Sequence, residues 1–184
     1  MPGEYRVSKK PVVLTTLLGS CVAACLYDVQ AQVAGMNHFL LPVQRVPEIR
    51  PLGADQMGRY GIDAMELLIN SMLKQGAAKA RLRAKVFGGA SLLVPHGDIP
   101  VQAIGASNIR FIHEFLKVEG IPIESEDLGG SLGRVIQFHT DSFEVWRRYI
   151  KSSALEAKVS ADEAAAWRKQ VAQRGQEGEV TLFS

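Results

Sequence analysis

Two cysteines, Cys21 and Cys25, are all that this chain of 184 residues carries. One closely spaced pair cannot build a disulfide framework, so a free, reduced thiol and a cytoplasmic location are expected. Charge of one sign is also lacking: 21 basic residues against 19 acidic ones leave a net +2, which excludes the basic footprint of a nucleic-acid binder. There is no long uninterrupted apolar run. The longest, residues 11–27, is broken by Thr15, Thr16, Gly19 and Ser20, which excludes insertion in a membrane as a spanning helix. The phosphate-loop patterns are missing too. Phe87-Gly88-Gly89-Ala90 and Leu128-Gly129-Gly130-Ser131 match neither of them, and read as tight turns or points of close backbone approach.

With 47% hydrophobic and 22% charged residues, the chain has the composition of one globular domain with a real core. Residues 12–17, 21–27 and 33–41 read as strands, with 28–32 as the polar gap and 44–57 as a loop. Residues 61–75 space their apolar positions as a helix does, with Gly76 as its cap, and residues 101–105 read as a strand. A second helix is expected over 108–119, with Ser107 or Asn108 as N-cap and Gly120 as its stop. Short strands are expected at 85–88, 121–127, 133–139 and 143–146. A capping box at Ser160-Ala161-Asp162-Glu163 opens a short polar helix in the tail. Strands at both ends with two helices between them give an α+β fold, with the helices on one side of the strands.

The residues with chemical potential lie early. A cysteine becomes a nucleophile when an imidazole takes its proton. If Val29-Gln30 is a two-residue turn, Asp28 pairs with Ala31, and the register carries back to place Cys21 opposite His38. Directly opposed residues share a face at about 4.5–5.5 Å between Cα atoms. Other readings of the same residues stand beside this one. A cysteine in an apolar run is often a small core residue. Cys21, Cys25 and His38 supply three zinc ligands with no evident fourth, so no metal is expected. Arg6, Lys9 and Lys10 before Leu18-Gly19-Ser20-Cys21 have the form of a lipidation signal. Against that, the apolar segment is short, and the chain stays apolar through Leu26, where a polar tether would begin.

The run Thr15-Thr16-Leu17-Leu18-Gly19-Ser20-Cys21-Val22-Ala23, followed by Gly35-Met36-Asn37-His38-Phe39-Leu40-Leu41-Pro42, closely resembles the CheD family, the chemoreceptor glutamine deamidases of bacterial and archaeal chemotaxis. Arg59-Tyr60-Gly61, Ala64-Met65, Lys85-Val86-Phe87-Gly88-Gly89-Ala90, Ile104-Gly105-Ala106-Ser107-Asn108 and Asp127-Leu128-Gly129-Gly130 continue it in the family order. The resemblance implies a deamidase domain over residues 1–150; residues 151–184 lie outside the resemblance and are read as a helical extension of the same domain. It implies a layered α/β sandwich of mixed β-sheets resembling cysteine-dependent toxin deamidases. By resemblance Cys21 is the nucleophile, His38 its partner, and Thr15, six positions before the cysteine, completes the site.

The implied reaction is protein-glutamine glutaminase chemistry without a cofactor. A thioester at Cys21 converts receptor glutamines to glutamates, and methyl-ester hydrolysis is an expected side activity. Backbone N–H groups near Gly19 to Val22 are the expected oxyanion donors. The implied partners are chemoreceptor cytoplasmic domains and a CheC-like phosphatase. The alternative reading is a non-catalytic regulator of that phosphatase. The chain departs from the family pattern at Ala106-Ser107 and at Ser142-Phe143-Glu144.

Overall fold

The strand Val22–Asp28 is buried at every position, because both of its faces are covered. It is central to a computed structural model that describes residues 2–41, 56–91, 101–150, 161–162 and 164–165. In chain order the elements are β1 (Glu4–Ser8), β2 (Val13–Leu18), β3 (Val22–Asp28), β4 (Val33–His38), α1 (Gln56–Lys74), β5 (Arg83–Gly88), α2 (Val101–Val118), β6 (Ile123–Leu128), β7 (Arg134–His139) and β8 (Val145–Tyr149). A five-stranded sheet runs in the order β1-β4-β3-β5-β6, and a three-stranded sheet in the order β2-β7-β8. The larger sheet is mixed, since β5 and β6 are parallel across the α2 crossover, while the smaller is antiparallel.

Three layers result: two helices, the large sheet and the small sheet. Val22, Leu26, Phe39, Met65, Leu68 and Ile112 belong to the core between helices and large sheet. Cys21, Cys25, Met36, Leu40, Ile136 and Phe138 belong to the core between the two sheets. The α+β class and the helices on one side are therefore as the sequence suggests.

The apolar stripe of α1 is buried through Met65, Leu68, Ile69 and Met72. Its end is capped by Gly76 at φ 97°, with Gly76 N–H donating to Leu73 O at 2.9 Å and Ala77 N–H to Met72 O at 3.1 Å. Asn37 ties this helix to the sheet: it accepts from Ala24 N–H at 3.1 Å and donates to Ala64 O at 3.2 Å.

Three expectations are corrected. Residues 101–105 are not a strand but the first turns of α2, so Asn108 lies inside the helix rather than capping it. These turns pack tightly on the glycine pair: a Cβ at Gly105 would stand 2.5 Å from Gly89 O, so only glycine fits there. The β3–β4 connection is not a two-residue turn. Asp28 pairs with Val33, and residues 29–32 form the loop.

Asp28 is the cause of the longer loop. Its buried carboxylate accepts N–H groups from Gln30 at 3.0 Å, Ala31 at 3.1 Å and Ala78 at 2.9 Å, and pairs with Arg81 at 2.8 Å. Burial pushes this carboxyl up, but Arg81 and the N–H donors outweigh burial and hold it down at about 2. Finally, β1 is an edge strand that the sequence does not announce. Of the expected tail helix, residues 161–162 and 164–165 are helical; the rest of 151–184 lies outside the described residues, as does most of the loop 44–57.

Candidate active site

Cys21 follows the Gly19-Ser20 break that lets the chain leave the small sheet at the end of β2 and enter the large one at β3. Three consecutive carbonyls around it are held. Gly19 O accepts from Ala90 N–H at 2.7 Å, Ser20 O from Asn108 Nδ2 at 2.8 Å, and Cys21 O from Gly89 N–H at 2.7 Å. The glycine pair at 88–89 is thus a point of close backbone approach, and what approaches is the cysteine's own peptide. Gly88 has φ 116°, and a Cβ there would lie 2.1 Å from Cys21 O. The second glycine pair braces the first: Gly129 N–H donates to Gly88 O at 2.8 Å, and Ser91 N–H to Gly130 O at 2.8 Å. Arg134, almost wholly buried, ties this turn down through Gly129 O and Asp127, with a 2.8 Å bond to the Asp127 carboxylate.

The ladder places His38 near Cys21 in a different register from the one expected. Cys25 pairs with Met36, and an isolated bridge joins Val22 to Phe39. His38 then stands opposite Ala23, and Cys21 lies one step diagonal to it. The slip is of two residues, so both side chains keep the face that looks toward the small sheet. Cys21 is 0% exposed and His38 6%.

The small sheet supplies the third member. Thr16 Oγ1 lies 2.9 Å from His38 Nδ1. Thr15, assigned by the resemblance, is exposed on the opposite face of β2, since successive side chains of a strand point to opposite sides. The geometry therefore gives the histidine contact to Thr16, while Thr15 pairs with Gln137. His38 Nε2 is buried and has no hydrogen-bond partner among the described residues. Burial pushes the His38 imidazole down from its usual value to about 3, so it is neutral at physiological pH. Val22 N–H is committed to Phe39 O at 3.0 Å, which withdraws it from the expected oxyanion donors.

A groove of about 800 Å³ lies between the edge strands β1 and β2, and Met36, Asn37 and His38 are among the residues that line it. Thr15 and Thr16 border it, whereas Cys21 does not. Among the described residues no three His, Cys, Asp or Glu side chains are grouped as metal ligands would be. Among the described residues no helix is long and apolar enough to cross a membrane. A buried imidazole, neutral and oriented at one nitrogen, beside a thiol on the same strand face is suited to acyl transfer.

Comparison with known proteins gives the family. Residues 40–149 match the family model described as CheD chemotactic sensory transduction, a segment that begins just beyond His38. A Geobacter sulfurreducens protein named probable chemoreceptor glutamine deamidase CheD 1 is 52% identical over 151 residues, 82% of this chain and 75% of the relative. The chain belongs to the CheD family. A Shewanella oneidensis CheD of the same description is 48% identical over 88% of this chain and 81% of its own length. A Ruegeria CheD at 40% identity is matched across 100% of this chain and 93% of its own, so the match spans Cys21 and His38.

Two residues of this site escape sequence reasoning, Thr16 and Asn108. For Asn108 a signal exists, since it is a polar residue on the buried stripe between Ile104 and Ile112. For Thr16 there is none without the register, because Thr15 and Thr16 are identical neighbours.

Proposed function

We propose that this protein is a protein-glutamine deamidase that converts glutamine side chains of chemoreceptor cytoplasmic domains to glutamates, acting in the cytoplasm through a thioester at Cys21. Membership of the CheD family and the names of its relatives support the substrate class. The observation that carries the chemistry is the buried His38, held neutral by burial, with Thr16 on Nδ1 and, among the described residues, no partner on Nε2, on the face it shares with Cys21. The catalytic unit is residues 1–150, with 151–184 as its extension.

In the tautomer with its proton on Nδ1, His38 donates to Thr16 Oγ1 and presents the Nε2 lone pair. The substrate carboxamide enters along the groove between β1 and β2. Cys21 Sγ attacks its carbon while the thiol proton passes to Nε2. Because burial disfavours the imidazolium, this transfer accompanies attack and does not precede it. The tetrahedral intermediate collapses with cleavage of the C–N bond, and ammonia leaves with the proton from Nε2. Water, activated by the neutral imidazole, then hydrolyses the thioester to glutamate and regenerates the thiol. Glutamate methyl esters present the same acyl centre and are secondary substrates.

The test is ammonia release, with a gain of about one dalton per converted glutamine, from a purified receptor cytoplasmic fragment. Wild type deamidates it, and Cys21→Ala is slower by at least about a thousandfold. Full activity in Cys21→Ala sinks the mechanism. The regulator reading gains no support from the fold or from the relatives' names. Phosphatase binding that survives Cys21→Ala, without deamidation by wild type, would revive it.

A further inference from the structure

Val22 and Phe39 exchange both of their backbone hydrogen bonds, Val22 N–H to Phe39 O at 3.0 Å and Phe39 N–H to Val22 O at 2.9 Å. In an antiparallel ladder the next exchanging pair lies two residues further along each strand. Here that pair is Ser20 and Leu41, and the bond from Leu41 N–H to Ser20 O is replaced. Leu41 N–H instead donates to Asn108 Oδ1 at 2.8 Å, and Asn108 Nδ2 donates to Ser20 O at 2.8 Å. A side-chain carboxamide from α2 stands where one backbone bond would be, accepting from one strand and donating to the other. The bridge is made at the step next to Cys21.

Neither the helix nor the core explains this residue. Asparagine is a weak helix former in an interior position, and α2 would be better served by alanine. Its carboxamide is 0% exposed, which is costly unless it is hydrogen-bonded. Both of its bonds go to the two segments that bear Cys21 and His38. We propose that Asn108 is a positioning residue: its carboxamide is the spacer that sets the Cys21 turn against the His38 strand in the geometry proton transfer needs. This rests on the reading of Cys21 and His38 as a reacting pair.

The isosteric variant Asn108→Asp tests it. An ionised carboxylate still accepts from Leu41 N–H but cannot donate to Ser20 O. A protonated carboxyl does both. A buried aspartate takes up its proton as much as about 3–5 pH units above its usual value, so the variant regains the missing donor as pH falls. The probe is p-nitrophenyl acetate, which acylates the thiol without any receptor, with Cys21→Ala as background. We expect Asn108→Asp to acylate about 10- to 100-fold slower than wild type at pH ~9 and within about threefold of it at pH ~6. Asn108→Leu, which has neither group, is expected to be slow by a similar factor at both pH values.

The proposal is overturned if Asn108→Asp matches wild type at pH ~9, or if its deficit is the same at both pH values. It is also overturned if both variants fail to fold across the range, which would assign Asn108 to stability alone. Wild type no faster than Cys21→Ala overturns the reacting pair and this proposal together. If acylation behaves as expected while receptor fragments release no ammonia, the substrate assignment fails and the role of Asn108 stands.

Discussion

On its helix-facing side the β3–β4 hairpin carries Val22, Ala24, Leu26, Val33 and Phe39; on the side facing the small sheet it carries Cys21, Cys25, Met36 and His38. Both sides are buried, so burial does not separate structure from chemistry here. The partner layer does. The helices present apolar stripes interrupted by Asn108, and the strand face against them is apolar but for Asn37, which is hydrogen-bonded to α1. The small sheet presents β2, an edge strand whose alternation puts one threonine inside and one outside. Odd and even positions of the same two strands are thus assigned to different tasks, and a slip of one residue would exchange them. The observed slip of two does not.

The comparison breaks first at His38. His38→Gln keeps a polar, bulky side chain and loses the base, and its kcat on receptor fragments is expected to fall about 10²- to 10⁴-fold. The same variant changes the acid side of the stability curve. Below the usual histidine value of 6.5 the unfolded chain takes up a proton that the folded imidazole, held at about 3, refuses. Wild type therefore loses stability as pH falls from 6.5 towards 3, by no more than about 1.4 kcal/mol per pH unit, and loses nothing to this group above 6.5. Denaturant titrations from pH 7 to 4 should show the slope in wild type and a shallower one in His38→Gln. Equal slopes would mean that the histidine is not buried neutral.

The helix-facing side should give the opposite pattern. Leu26→Ala, at a position with no exposure, is expected to destabilise by about 2–5 kcal/mol while leaving kcat per folded molecule within about threefold of wild type. A much larger loss of kcat would show that the two faces are coupled. The smallest effect is expected at the threonines. Thr16→Val should lower kcat about tenfold by releasing Nδ1 of His38, whereas Thr15→Val should change it less than about twofold. The reverse order would return the histidine contact to Thr15.

The apolar stripes of α1 and the distal half of α2, the strand runs and the shared strand face of Cys21 and His38 are legible in the sequence, because each is a repeat or a count along one segment; the register is not, since Cys21 does not stand opposite His38. What is not legible depends on contacts between segments. The first turns of α2 look like a strand in Val101-Gln102-Ala103-Ile104-Gly105, whereas in the fold they are helical and Gly105 packs on Gly89. Asp28 lengthens the hairpin loop through Ala78 and Arg81, some fifty residues away. Spacing can count six residues back from a cysteine, but it does not say on which face the residue found there will lie. β1 escapes notice because Glu4-Tyr5-Arg6-Val7-Ser8 is short and exposed along most of its length, and its alternation rests on Tyr5 and Val7 alone.

Gly88 bears on how this gene can change. Every single-base change in the first or second position of a glycine codon either ends translation or adds at least one carbon to the residue. At position 88 that carbon would stand 2.1 Å from the carbonyl oxygen of Cys21. The codon therefore has synonymous neighbours and no conservative ones, and variation among active descendants at this position should be confined to the third base.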